Sequence, residues 1–244
     1  MRITQISESK QLGILLALSG GFMDAYSYIQ RGHVFANAQT GNMLLFGINL
    51  SQLKFLDALQ YAIPVVAFTL GIALAEQLRA CQWKKLHWRQ IALIIETTIL
   101  ISVAFFNSDL NLIANSLTSF ACGIQVETFR KIQGLSAATT MCIGNLRSGT
   151  ENLFKYLHTK ERHYFDKGAF YYLIIFCFIM GAVIGNFFIH FMHRYAIIIC
   201  SWFLIAAFLM MFIDLEKEMN TKRKTLNQRF KFNHATTCSK SSFT

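Results

Sequence analysis

Six stretches of this chain are apolar over nearly the thickness of a lipid bilayer, and a sequence that must hide six such stretches from water has few folds open to it. They run from Leu12 to Ile29, Leu59 to Ala75, Ile91 to Phe106, Leu110 to Val126, Phe170 to Phe191 and Tyr195 to Ile213. A helix needs roughly 17 to 25 residues to cross the hydrocarbon core, and each stretch approaches that length. Charged residues make up 15% of the 244 positions. A soluble domain carries about 25%. The expectation is an all-α integral membrane protein. The Ala17-Leu18-Ser19 segment resembles a signal-peptide cleavage site, but the run stays apolar beyond it, and the first stretch is therefore taken as a span.

Two further apolar segments, Asn37 to Leu50 and Met141 to Phe154, are 14 residues long. As helices they extend about 21 Å, against a hydrocarbon core of about 30 Å. The second also holds Arg147 and Glu151, each of which costs about 2.5 kcal/mol or more when exposed to lipid. Both are expected to be re-entrant helices buried in protein. With six spans, 20 of the 23 Lys and Arg fall on one side, leaving only Arg31, Lys54 and Arg194 on the other. Eight spans would put eight of the 23 outside. Cytoplasmic loops carry the excess of Lys and Arg, so six spans are favoured, with both termini cytoplasmic and the chain in the cell (inner) membrane. Topology then accounts for the +10 net charge. No basic stripe interleaved with aromatics points to nucleic acid, and six cysteines without a CxxC pair point to neither metal nor disulfide chemistry.

The chain also repeats itself. Gly21-Phe-Met-Asp-Ala, Gly32 and Thr40-Gly-Asn42 return about 102 residues later as Gly123-Ile-Gln-Val-Glu, Gly134 and Ile143-Gly-Asn145. Gly71 and Ala75 have a counterpart in Gly181 and Gly185. Each half thus reads as span, short re-entrant helix, span, span. Residues 1–106 form a first membrane repeat, 107–214 a second, and 215–244 a basic cytoplasmic tail. Three spans per half force the second half to enter the membrane in the opposite sense, the inverted-repeat plan of many transporters.

Within this frame a few polar residues stand out. Asp24 and Glu96 are carboxyls inside apolar runs, where a charge costs roughly 2.5 to 3.5 kcal/mol at the bilayer centre and must face protein or water. Asp24 is equally suited to transport chemistry and to hydrogen-bonding the Thr40-Gly41-Asn42 segment. Thr40, Asn42, Thr140 and Asn145, with Gly41 and Gly144, stand at the starts of the short helices, whose N-termini present unpaired N–H groups and a positive dipole end. They are equally suited to plain turns and caps. Gln125 accompanies them, and Glu127 is placed to pair with Arg130 or Lys131. The faces Gly71/Ala75 and Gly181/Gly185 suit close helix packing, chiefly within the chain, and also admit a homo-oligomer.

Gly21-Phe-Met-Asp-Ala, Phe35 and Gln39-Thr-Gly-Asn42, echoed by Gly123, Gln125, Gly144 and Asn145, resemble the YoaK family of bacterial membrane proteins, a group of unknown function. The resemblance covers nearly the whole hydrophobic chain. It departs at Val126 and Ile143, where a polar residue and a threonine are expected, so the second half-site is the less polar. The resemblance implies a multi-pass membrane protein and supplies no substrate, cofactor or reaction.

The expected function is a small-solute or ion transporter or channel with its pathway between the halves. The lipid bilayer and an unknown solute or ion are its partners, and no cofactor is expected. A non-transporting scaffold or assembly protein is the alternative. An intramembrane enzyme is less favoured, since neither HExxH nor GxSxG occurs.

Overall fold

The structure, a computed structural model, describes residues 9–81, 87–132 and 134–211. Arg2, Lys84, Lys85 and the basic tail expected over 215–244 lie outside the described residues. Among those described, regular structure is helical apart from a single bridge between Ile132 and Leu135. The helices are α1 (Lys10–Gln30), α2 (Gln39–Ser51), α3 (Phe55–Ala80), α4 (Trp88–Val103), α5 (Asn111–Thr128), α6 (Cys142–Thr159), α7 (Arg162–Met192) and α8 (197–211). The described residues up to Phe208 belong to one compact unit, and Leu209 to Met211, the last turn of α8, to a second.

Three segments are long and apolar enough by themselves to cross a membrane: Lys10–Gln30, Phe55–Ala80 and Arg162–Met211. The last holds α7, the short turn His193–Ala196 and α8. Helices α4 and α5, with 16 and 18 residues, are shorter. Helix α7 begins eight residues before its apolar run, and α6 continues five residues past its own. These extra turns are polar and exposed, and the exposed pair Glu151–Lys155 is bound at 2.6 Å one helical turn apart on α6. Hydropathy marks the part of a helix that can meet lipid, whereas the helix itself runs on into water.

Helix α1 lies along α7, and α3 lies along α5. Both contacts rest on glycines. A Cβ on Gly21 would overlap the carbonyl of Phe178, and one on Gly181 would overlap that of Leu18. At the other crossing Gly71 meets the Phe120 carbonyl and Gly123 meets that of Phe68 in the same way. The absent side chains let the backbones touch, as small residues do in membrane helices. The pairs Gly71/Ala75 and Gly181/Gly185 therefore pack within this chain, and Ala75 is fully buried.

Each lead-in to a short helix begins with a glycine of positive φ, Gly32 at 85° after α1 and Gly134 at 73° after α5, a conformation open to glycine at no steric cost. The C-terminal ends of α1 and α4, the start of α5 and the turn after α7 gather at one end of the molecule. The end of α3, the start of α4 and the end of α5 gather at the other.

Candidate functional site

The polar interior is organised around the Leu16 to Asp24 stretch of α1. Asp24 turns its Oδ1 to the backbone N–H of Asn37 at 2.7 Å, and the amides of Ala36 and Ala38 also act on the carboxylate. Helix α2 has no side-chain cap of its own. Asp24, on a neighbouring helix, thus supplies the negative group that the chain entering α2 needs. Val126 occupies the equivalent place in the second half and offers none.

Asn42 and Asn145 clamp the lead-ins of the two short helices alike. Asn42 Nδ2 donates to the Phe35 carbonyl at 2.7 Å and Asn145 Nδ2 to the Ala138 carbonyl at 2.6 Å, each seven residues upstream. Asn42 also accepts from Phe35 N at 3.0 Å and donates to Gln39 Oε1 at 2.9 Å. Gln125 Nε2 donates to the Leu16 carbonyl at 3.0 Å, and Thr140 Cγ2 would lie 3.1 Å from a Cβ on Gly20. Asn37 Nδ2 donates to the Gly20 carbonyl at 3.0 Å.

On another face of α1, Ser19 Oγ lies 3.2 Å from Cys200 Sγ, and Met23 Sδ lies 3.6 Å from Cys122 Sγ. Glu96 of α4 is fully buried within electrostatic reach of both thiols.

What remains unpaired in this interior is oxygen, mostly acceptor. The amides of Asn37, Gln125 and Asn145 each give a hydrogen to a backbone carbonyl. A carbonyl can only accept, so each amide nitrogen must face that way and its oxygen the other. Those three oxygens, Thr140 Oγ1 and both carboxyl oxygens of Glu96 are buried without a hydrogen-bond partner in the protein. Buried polar atoms are normally satisfied, and exceptions call for a reason. An interior set with spare acceptors suits a cation or a solute bearing N–H or O–H groups.

Not every candidate turns inward. Thr40 and Gly144 are exposed, and Gly41 packs beneath the ring of Phe35. Asn37, Thr139 and Ser119, which the sequence reading did not name as candidates, and Gln39, named there only within the family motif, are buried in the same network. Their buried roles follow from loop geometry and leave no periodic trace. Glu127 pairs with Arg130 at 3.1 Å, as the spacing predicts.

Arg31, placed by the charge count on the side opposite most Lys and Arg, is 2% exposed. Its guanidinium donates to Tyr26 Oη at 3.0 and 2.8 Å, to the carbonyls of Val103 and Phe106 at 2.9 Å each, and to Asn111 Oδ1 at 3.2 Å. Asn115 Nδ2 closes the group by donating to the Arg31 carbonyl at 2.7 Å.

Long apolar helices, backbones joined at glycines and a polar interior define an all-helical integral membrane protein. The chain belongs to the family described as a protein of unknown function, DUF1275, whose model matches residues 12–210. It is similar to the UPF0700 transmembrane protein YoaK of Bacillus subtilis (strain 168), 26% identical over 155 residues that cover 61% of this chain and 68% of that one. No solved structure matches it.

Proposed function

We propose that the chain moves a small polar solute or an ion across the membrane, along a path between two inverted repeats. The observation that carries this is the set of buried oxygens left without partners around α1, contributed by both halves: Asn37 and Glu96 from the first, Gln125, Thr140 and Asn145 from the second. A site that only held the fold would gain by pairing them, since each buried unsatisfied group costs about 1 to 3 kcal/mol. Six helices, α1, α3, α4, α5, α7 and α8, span. Helices α2 and α6 run from mid-membrane toward opposite surfaces, α2 to the outer side and α6 to the cytoplasm. The twin asparagine clamps and the paired glycine crossings, each carried by equivalent residues about 102 to 110 positions apart, support the repeat.

The test is reconstitution of the full chain into proteoliposomes, with flux of monovalent cations, ammonium and small amides followed by stopped-flow and solid-supported-membrane recording. The expected outcome is a flux above empty liposomes for one of these. Glu96→Gln, which removes one spare acceptor at equal volume, and Gln125→Leu, which removes one together with the amide's bond to the Leu16 carbonyl, should reduce it by tenfold or more, the loss of about 1.4 kcal/mol. Folded variants with undiminished flux would remove these oxygens from the path. Absence of flux across the panel in folded wild-type protein favours a scaffold.

A further inference from the structure

A cavity of about 190 Å³ opens where α3 ends, α4 begins and α5 ends. Arg79, Arg89, Arg130 and Lys131 line it. Among the described residues, two carboxylates stand near these cations: Glu76, 3.2 Å from Arg79 and 3.8 Å from Arg130, and Glu127 in the wall. Glu127 Oε1 stands 3.1 Å from Arg130 Nη1 without hydrogen-bond alignment. Lys131 has no carboxylate partner among the described residues.

The wall also holds the last residue of α5, Thr128, which is 1% exposed and whose Oγ1 lacks any hydrogen-bond partner. Trp88 completes it, with the Arg89 guanidinium 5.6 Å from its ring centroid. Such an aromatic suits the membrane–water boundary. The cavity is smaller than the roughly 300 to 1,000 Å³ of clefts that enclose drug-sized ligands.

We infer that this cavity is a seat for a single phosphate group, taken from the headgroup of an anionic phospholipid at the cytoplasmic surface. Guanidinium forks and a hydroxyl match phosphate oxygens, and basic pockets between membrane helices on that side bind such headgroups. The inference does not depend on the transport reading.

The test uses the full-length protein in phosphatidylcholine nanodiscs with two probes: phosphatidylglycerol, followed by native mass spectrometry, and inorganic phosphate, followed by isothermal titration. Wild-type protein should retain phosphatidylglycerol in preference to phosphatidylcholine. Lys131→Gln should weaken this about fivefold, the worth of one lysine near an anionic surface. Thr128→Val should weaken it too, while Lys160→Gln, at the exposed end of α6, should not. Equal melting temperatures in pure phosphatidylcholine show that the variants are folded. Phosphate binding lost in the same variants, without a phosphatidylglycerol preference, assigns the site to a soluble phosphate instead. If neither probe separates wild type from Lys131→Gln and Thr128→Val, the seat does not exist.

Discussion

Arg31 shows how far a single side chain can depart from what its neighbours in sequence suggest. It follows the last residue of α1 beside Gly32, where an exposed loop cation is the ordinary expectation, yet it is buried, and it has no ion-pair partner among the described residues. Carbonyls of Val103 and Phe106 and the hydroxyl of Tyr26 solvate the charge instead, and they join the end of α1 to the end of α4. No spacing rule could find this set, because all its members but Tyr26 lie more than 70 residues away and are mostly backbone. Replacing Arg31 by Met leaves those acceptors buried and unpaired. At about 1 to 3 kcal/mol for each orphaned group, the loss should exceed about 3 kcal/mol. Arg31→Lys should rescue little of it, since an ammonium offers three donors where the fork offers five. Thermal denaturation of both variants in detergent, followed by size-exclusion chromatography, measures the loss. A melting temperature for Arg31→Met equal to wild type would mean that the network does not hold these ends together.

At the scale of helices, the sequence already located the eight segments and the small-residue faces, because apolar length and glycine spacing are local signals. It could not say where α6 and α7 end in water, nor which helix each glycine faces. The structure pairs Gly21 with Gly181 across α1 and α7, and Gly71 with Gly123 across α3 and α5. An alanine at Gly21 or Gly71 meets a backbone carbonyl, which has no rotamer to escape into. Separating two packed helices to admit it should cost about 1 to 3 kcal/mol. Gly144 sits in the first turn of α6 with no neighbouring atom within 4 Å of an added Cβ. There the same change should be neutral, or stabilising by about 0.5 to 1 kcal/mol through helix propensity. Melting curves of the three single variants under identical detergent conditions test the contrast. Equal shifts at all three positions would contradict backbone contact at the crossings.

Over the whole molecule, the recurrence of Gly21, Gly32 and Asn42 as Gly123, Gly134 and Asn145 is the plainest pattern in the sequence, and it is what suggests a repeat. The site was legible only in part. Asn42, Asn145, Gln125, Asp24 and Glu96 are buried, but Asp24 is engaged by the backbone at Asn37, and Thr40 and Gly144 are exposed. The sequence could identify the residues that begin each short helix without knowing the path the chain takes into it. Orientation is the property on which the transport reading depends. Arg79 and Arg130 meet at one end, and Arg31 and Asn107 meet at the other; the topology proposed from the bias of Lys and Arg puts the first end in the cytoplasm. Cys81, just past α3, is an exposed thiol at the first end, and Ser51, the last residue of α2, is exposed near the start of α3 at the second. In a variant whose other cysteines are replaced, a membrane-impermeant thiol reagent added to intact cells should leave Cys81 unlabelled until the membrane is opened. It should label Ser51→Cys directly. That pattern requires α2 to return to the face it left, and it makes α3 the second crossing. Labelling of Cys81 in intact cells with protection of Ser51→Cys would instead make α2 a span. The two halves would then run parallel, and the buried oxygens of α1 would lose the inverted frame that makes them a path.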